Sequence, residues 1–226
     1  MYTCKPKHSL PGPDDTLHQT LPNGITVMAR ENFASPAVVI NGYLEAGAED
    51  EGPEQAGLAS FTAEVVARGT ERRSFDQLYE EVESVGANFG LGAGTHLTTF
   101  GAKGLVENLS LLLDILSDVL RHPAFEPRHV EKARSEILTA LEERAYNTRH
   151  MAALTFKELA YPADHPYHYS VDGYSHTVTP LTRDDLINFH QRMYSPQGMV
   201  IVVVGAVKRQ DALRAITDVL GDWQAT

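Results

Sequence analysis

Residues 17–21 and 25–30 flank Pro22-Asn23-Gly24, and the pattern predicts a β-hairpin, because Asn-Gly supports the positive φ angles of a tight turn. Residues 37–44 form a β-branched run that reads as a buried strand. Residues 46–55 mix glycine, proline and acids, which predicts a loop. Leu58, Phe61, Val65 and Val66 then recur at helical spacing within 54–68. Ser74-Phe75-Asp76-Gln77 fits a capping box opening a helix through about Val85. The glycine- and alanine-rich residues 86–94 predict a thin strand, with a second strand at 97–102. Val106, Leu109, Leu113, Leu116 and Leu120 make a helical stripe that stops at His122-Pro123. Pro127 opens a helix with Val130, Ala133, Ile137 and Leu141 on one face. Another helix covers about 149–160, residues 161–181 read as a long loop, and Thr182 starts a helix carrying Leu186, Phe189 and Met193. A buried strand at 199–204 and an amphipathic helix at 208–221 complete the pattern. Paired strands interleaved with helix pairs predict an α+β fold, helices packed on a largely antiparallel sheet. Residues 1–16 are polar and proline-rich and read as an extended arm before a single domain at 17–226.

Composition changes this picture little. The 226 residues are 42% hydrophobic and 22% charged, as in ordinary globular domains. A net charge of −11 without a basic cluster argues against a nucleic-acid surface. The lone Cys4 excludes an intrachain disulfide. No apolar run reaches the length of a membrane span. The expected compartment is cytoplasmic if Met1 begins the natural chain and periplasmic if a signal peptide preceded it.

The chemistry is concentrated in Gly57-Leu58-Ala59-Ser60-Phe61-Thr62-Ala63-Glu64, which runs on to Arg68-Gly69-Thr70. Its frame reads G-L-A-[H]-F-x-[E]-[H]-x-x-x-[K/R]-G-T with the three bracketed chemical positions replaced. Further segments fall in order: Leu21-Pro22-Asn23-Gly24, Gly86-Ala87, Thr98-Thr99-Phe100, Phe125-Glu126-Pro127, His165-Pro166-Tyr167, Gly173, Leu181-Thr182, Tyr194-Ser195-Pro196 and Val202-Val203-Val204-Gly205. On these residues the stretch from about Leu17 to Thr226 resembles one domain of the insulinase, pitrilysin and mitochondrial-processing-peptidase family of zinc metallopeptidases.

The resemblance implies what has been lost. In active relatives two histidines of H-x-x-E-H bind zinc and the glutamate between them activates a water. A third ligand, a glutamate, follows about 76 residues after the second histidine. Carried onto this chain, the ligand positions are Ser60, Glu64 and Ala140, and the base position is Ala63. A further acidic position of the family helix falls on Ala133, on the same helix face as Ala140. Serine is a poor ligand, alanine has no donor, and one carboxylate does not hold zinc alone. The expectation is no metal, no cofactor and no catalytic residue in this chain, with zinc confined to an active partner or another domain.

Other histidines offer less. His165 and His168 surround Pro166-Tyr167, unlike a paired-ligand helix, and read as part of a structural loop. His96 and Glu64 could make at most a two-ligand site. Ser60 lacks the G-x-S-x-G elbow of a serine hydrolase, and residues 86–94 lack the Gly-Lys-Ser/Thr of a phosphate loop.

The resemblance implies a role beside an active partner. Family members close two halves around a peptide, and one half often lacks zinc. Peptide adds to an edge strand beside the metal helix, here Phe89, Gly90, Leu91, Gly92 and Ala93. The expected partners are a zinc-bearing homologous subunit or domain and a peptide, with a homodimer of this chain as a further form. An Arg/Tyr pair that some non-catalytic relatives contribute from their second domain has no counterpart here. Two alternatives stand beside this: a structural assembly subunit like the core proteins of a respiratory complex, and the inactive first domain of a longer chain that keeps H-x-x-E-H later.

Overall fold

The structure, a computed structural model, describes residues 12–225. Its sheet runs in the order β1-β2-β6-β3-β5-β4. The strands are β1 Thr16–Thr20, β2 Thr26–Glu31, β3 Ala37–Leu44, β4 Asn88–Ala93, β5 Thr98–Leu105 and β6 Val200–Gly205. The pair β2–β6 is parallel and every other pair is antiparallel. The helices are α1 Leu58–Val66, α2 Phe75–Ser84, α3 Leu109–Arg121, α4 Pro127–Arg144, α5 Thr148–Ala160, α6 Ser175–Val178, α7 Arg183–Met193 and α8 Arg209–Leu220. This is the α+β arrangement the pattern predicts.

Period-two alternation places one face of the sheet in the core. Val27 and Ala29 of β2, Val38, Ile40 and Leu44 of β3, and Ile201 and Val203 of β6 are buried there under the helices. Their neighbours Val39, Val200, Val202 and Val204 are only half-buried, so the two runs expected to be buried strands have one covered face. The stripe of α3 contributes Leu109, Leu112, Leu113, Leu116 and Leu120 to the same core.

The predicted caps form. Ser74 Oγ accepts from Gln77 N at 3.3 Å, and Gln77 Oε1 accepts from Ser74 N at 3.0 Å. Thr182 and Asp185 make the equivalent box on α7. Three expectations change. Residues 1–11 of the proposed arm lie outside the described residues, but 12–16 are ordered: Pro13–Asp15 is a 3₁₀ turn, Arg30 binds Asp15 at 2.8 Å, and Thr16 already pairs with Arg30 in the sheet. The loop at 46–55 holds two 3₁₀ turns, Ala48–Asp50 and Pro53–Gln55. The loop at 161–181 holds the turn Pro166–His168 and helix α6.

Behind Arg68-Gly69-Thr70 lies an ion network that no local pattern announces. Asp118 is fully buried on α3 and accepts from Thr70 Oγ1 at 2.7 Å, Arg72 Nε at 2.9 Å and Arg73 Nη1 at 2.8 Å. Arg73 also reaches Asp114 and Glu81. A buried carboxylate is tolerable only with such donors. The network ties the end of α1 to α3.

Candidate functional site

Helix α1 is held at its start by residues distant in sequence. Gly57 precedes it with φ +103°, and a Cβ there would meet Asp172 O, Gly173 Cα and Val178 Cγ2 at 3.0 Å each. Replacing Gly57 with alanine is therefore expected to cost about 2 kcal/mol of unfolding free energy in urea titration; a loss below about 0.5 kcal/mol would show that this junction is not tight. Glu51 folds back over the same terminus, accepting from Gly57 N at 2.8 Å and Ala59 N at 2.7 Å. Burial pushes its carboxyl up to about 7, against the lowering effect of these amides. Thr177 Oγ1 donates to Ala56 O at 2.6 Å.

Thus fixed, α1 turns Leu58, Phe61, Val65 and Val66 into the core and lies against α4. Ser60 and Ala140 line one cleft of about 470 Å³, together with Ile137, Leu141, Glu143 and Arg144. Ala63 is buried. Glu64 is exposed and accepts from Arg68 Nη2 at 2.5 Å, and the same nitrogen donates to Glu136 of α4 at 2.5 Å. Burial opposes the Arg68 charge, but the two carboxylates outweigh it and raise its pKa. Ala133, whose face Ala140 shares, lies in the core, whereas Ala140 is exposed.

The structure therefore brings Ser60 and Ala140 to one cleft, with Glu64 engaged one turn away by a guanidinium. This donor set does not fit zinc: one hydroxyl, no donor at position 140, and a carboxylate already paired with a cation. Among the described residues no group of three His, Cys, Asp or Glu side chains is placed to hold a metal. His96 and Glu64 do not come together, because His96 lies between Glu49 and Tyr167. His165 and His168 serve their loop: His165 Nδ1 accepts from Tyr167 N at 3.1 Å, and His168 Nδ1 lies 2.8 Å from Tyr161 O.

Among the described residues β4 is an edge strand of the sheet, beside α1. Its side chains alternate, with Phe89, Leu91 and Ala93 half-buried and Asn88, Gly90 and Gly92 exposed. Space is open where a Cβ on Gly90 or Gly92 would stand. The outer backbone of β4 is thus accessible to another strand.

Sequence reasoning missed Glu51 as the cap of α1, Glu136 as the second partner of Arg68, and the contacts of His96. Only the Glu64–Arg68 spacing of four carried a local signal.

Comparison with known proteins adds independent findings. The sequence profile described as "Insulinase (Peptidase family M16)" matches residues 26–166, and that of "Peptidase M16 inactive domain" matches 180–226. The chain is 30% identical to a probable mitochondrial-processing peptidase subunit beta of Arabidopsis thaliana, across 92% of this chain and 39% of that protein. It is 28% identical to cytochrome b-c1 complex subunit 1 of Rattus norvegicus, across 90% of this chain and 42% of that one. Its fold matches the peptidase M16 inactive domain from Pseudomonas fluorescens with a TM-score of 0.86 at 22% identity, covering 93% of this chain and 51% of that one. The chain thus spans two fifths to about half the length of these relatives. Among the described residues no helix is long and apolar enough to cross a membrane.

Proposed function

Because the chain belongs to the insulinase family, peptidase family M16, we propose that it is a zinc-less, non-catalytic member that walls a peptide chamber and supports a zinc-bearing homologous subunit or domain. One observation supports this reading: Ser60 and Ala140, two of the ligand positions the resemblance implies, line one cleft and bring no zinc donor set to it, while Glu64, the third, is bound to Arg68. Zinc in the partner would supply the activated water. The residues of this chain would receive and align the peptide. β4 offers main-chain donors and acceptors along a free edge, and Gly90 and Gly92 leave room for a strand to approach. Relatives named as subunits of a processing peptidase support a role beside a homologous partner.

A strand-forming probe of opposite charge to this chain is a ten-residue peptide alternating Val and Lys. Its addition is expected to slow amide hydrogen exchange across residues 88–93. Unchanged exchange there would remove the peptide-binding part of the reading. Zinc-dependent, chelator-sensitive hydrolysis of the probe by this chain alone would remove the non-catalytic part.

Similarity to cytochrome b-c1 complex subunit 1 favours a second reading, a structural assembly subunit. It predicts co-purification with a respiratory complex and no exchange protection by peptide. A third reading, an inactive domain of a longer chain with H-x-x-E-H elsewhere, is tested by the length of the parent reading frame.

A further inference from the structure

The turn joining β4 to β5, residues 94–97, is fastened to two other segments. The connection from β3 to α1 comes first. Ala48 N donates to Gly94 O at 3.0 Å and Glu49 N to Thr95 O at 2.9 Å. The backbones lie so close that a Cβ on Gly47 would stand 2.4 Å from Thr95 O. Onto this base His96 adds a side-chain link in two directions. Its Nδ1 lies 2.7 Å from Glu49 Oε2, and its Nε2 lies 2.5 Å from Tyr167 OH. The Glu49 carboxylate accepts from Nδ1–H, and Nε2 is hydrogen-bonded to the tyrosine hydroxyl. Tyr167 is itself held, edge-on to Tyr161 at 5.2 Å and to His165 at 5.1 Å between ring centroids. Tyr161 caps the C-terminus of α5.

His96 therefore joins three segments distant in the sequence: the Ala48–Asp50 turn, the tip of the β4–β5 hairpin, and the Pro166–His168 turn after α5. Both ring nitrogens are used, and the ring packs against Tyr167 at 5.2 Å. The side chain is about half exposed, so the core does not depend on it. What it restrains is the free end of the hairpin whose outer strand is the open edge.

We propose that His96 is a positioning residue for peptide addition: held between Glu49 and Tyr167, it fixes the tip of the β4–β5 hairpin so that the edge of β4 meets an incoming strand already aligned. The proposal rests on the edge-strand reading above. An edge held in its binding geometry loses less conformational freedom on pairing, and that gain appears in affinity rather than in the stability of the free chain.

The test uses the same Val/Lys decapeptide, labelled with fluorescein, and measures its Kd by anisotropy alongside the melting temperature of each variant. His96→Ala is expected to raise Kd about fivefold, the effect of about one net hydrogen bond, while the melting temperature moves by less than about 2 °C. In the free variant, amide exchange at residues 94–97 should quicken. Glu49→Gln, which still accepts at Nδ1–H, should restore most of the affinity lost in Glu49→Ala. Adding His96→Ala to Glu49→Ala should cost no more than His96→Ala alone, because both act through one link. If the unmodified chain binds the probe and His96→Ala binds it equally well, this proposal falls and the edge-strand reading stands. A loss of affinity matched by a large fall in melting temperature also overturns it, since His96 is then only structural. If the unmodified chain binds no probe, both fall.

Discussion

A chain carrying Ser60→His, Ala63→Glu, Glu64→His and Ala140→Glu is expected to bind one equivalent of zinc. Ser60 and Ala140 already line one cleft, and the two helices that carry them pack together. Positions 60 and 64 are one helical turn apart, the spacing at which two imidazoles converge on a metal. Glu64→His also releases the carboxylate that Arg68 now holds, leaving the guanidinium to Glu136 alone. Metal content by mass spectrometry after gel filtration reads the outcome, and cobalt substitution reports tetrahedral geometry through its visible absorption. Omitting Ala140→Glu should weaken zinc binding by more than about 100-fold, because even outer-shell partners are worth about 10–100-fold. Ala63→Glu supplies no ligand, and because Ala63 is buried it should lower stability when made alone. A folded quadruple variant without zinc would show that positions 60, 64 and 140 are not the ligand register.

Two titratable groups, the half-buried Glu51 and the buried His190, should cancel one another in the pH dependence of stability. Glu51 has its folded value raised from 4.5 to about 7, chiefly by burial, with Asp50 adding to the rise. Between these values the unfolded chain carries the carboxylate and the folded chain its acid. Folding takes up a proton there, so stability falls as pH rises. His190 is the opposite case. Burial lowers it from 6.5 to about 4, against its hydrogen bond to Leu120 O at 2.9 Å, and His122 lowers it further. Between 4 and 6.5 the unfolded chain carries imidazolium and the folded chain neutral imidazole, so stability rises with pH. Each limb is worth about 3 kcal/mol across its window, and the two overlap between 4.5 and 6.5. Urea unfolding of Glu51→Gln, relative to the unmodified chain, should show stability gaining about 3 kcal/mol from pH 4.5 to 7. His190→Gln should lose about the same amount from pH 4 to 6.5 on that scale. Variants whose curves run parallel to the unmodified chain would show that neither group carries a shifted proton.

Much of the fold was legible because its determinants are local. The stripe at Leu109, Leu113, Leu116 and Leu120, the box at Ser74 and Gln77, and the turn at Asn23-Gly24 each fix an element within a few residues. The proposed loss of ligands at Ser60 and Glu64 was read in the same local way, as substitutions inside a frame of fixed spacing, and the proposed position at Ala140 came from the resemblance. Other features depend on partners far along the chain. Glu51 looks like one more acid in a loop until the chain folds it over Gly57 and Ala59. Nothing near Asp118 announces Arg72 and Arg73, and nothing near His96 announces Tyr167. The one-sided burial of Val200, Val202 and Val204 follows from which face the helices cover, and a β-branched run does not encode that.

The strand order has a consequence for how the chain is made. β2 and β3 are consecutive in sequence and separated by five residues, yet they do not pair; β6 lies between them and bonds to both. The sheet therefore cannot close until residues 200–205 have left the ribosome and inserted. Until then the β1–β2 hairpin and the three-stranded β3–β5–β4 ribbon are separate, each presenting unpaired N–H and C=O groups along the edge that β6 joins. Synthesis of this domain is a wait for its last strand, and a chain interrupted before residue 200 is left with the edges that chaperones bind.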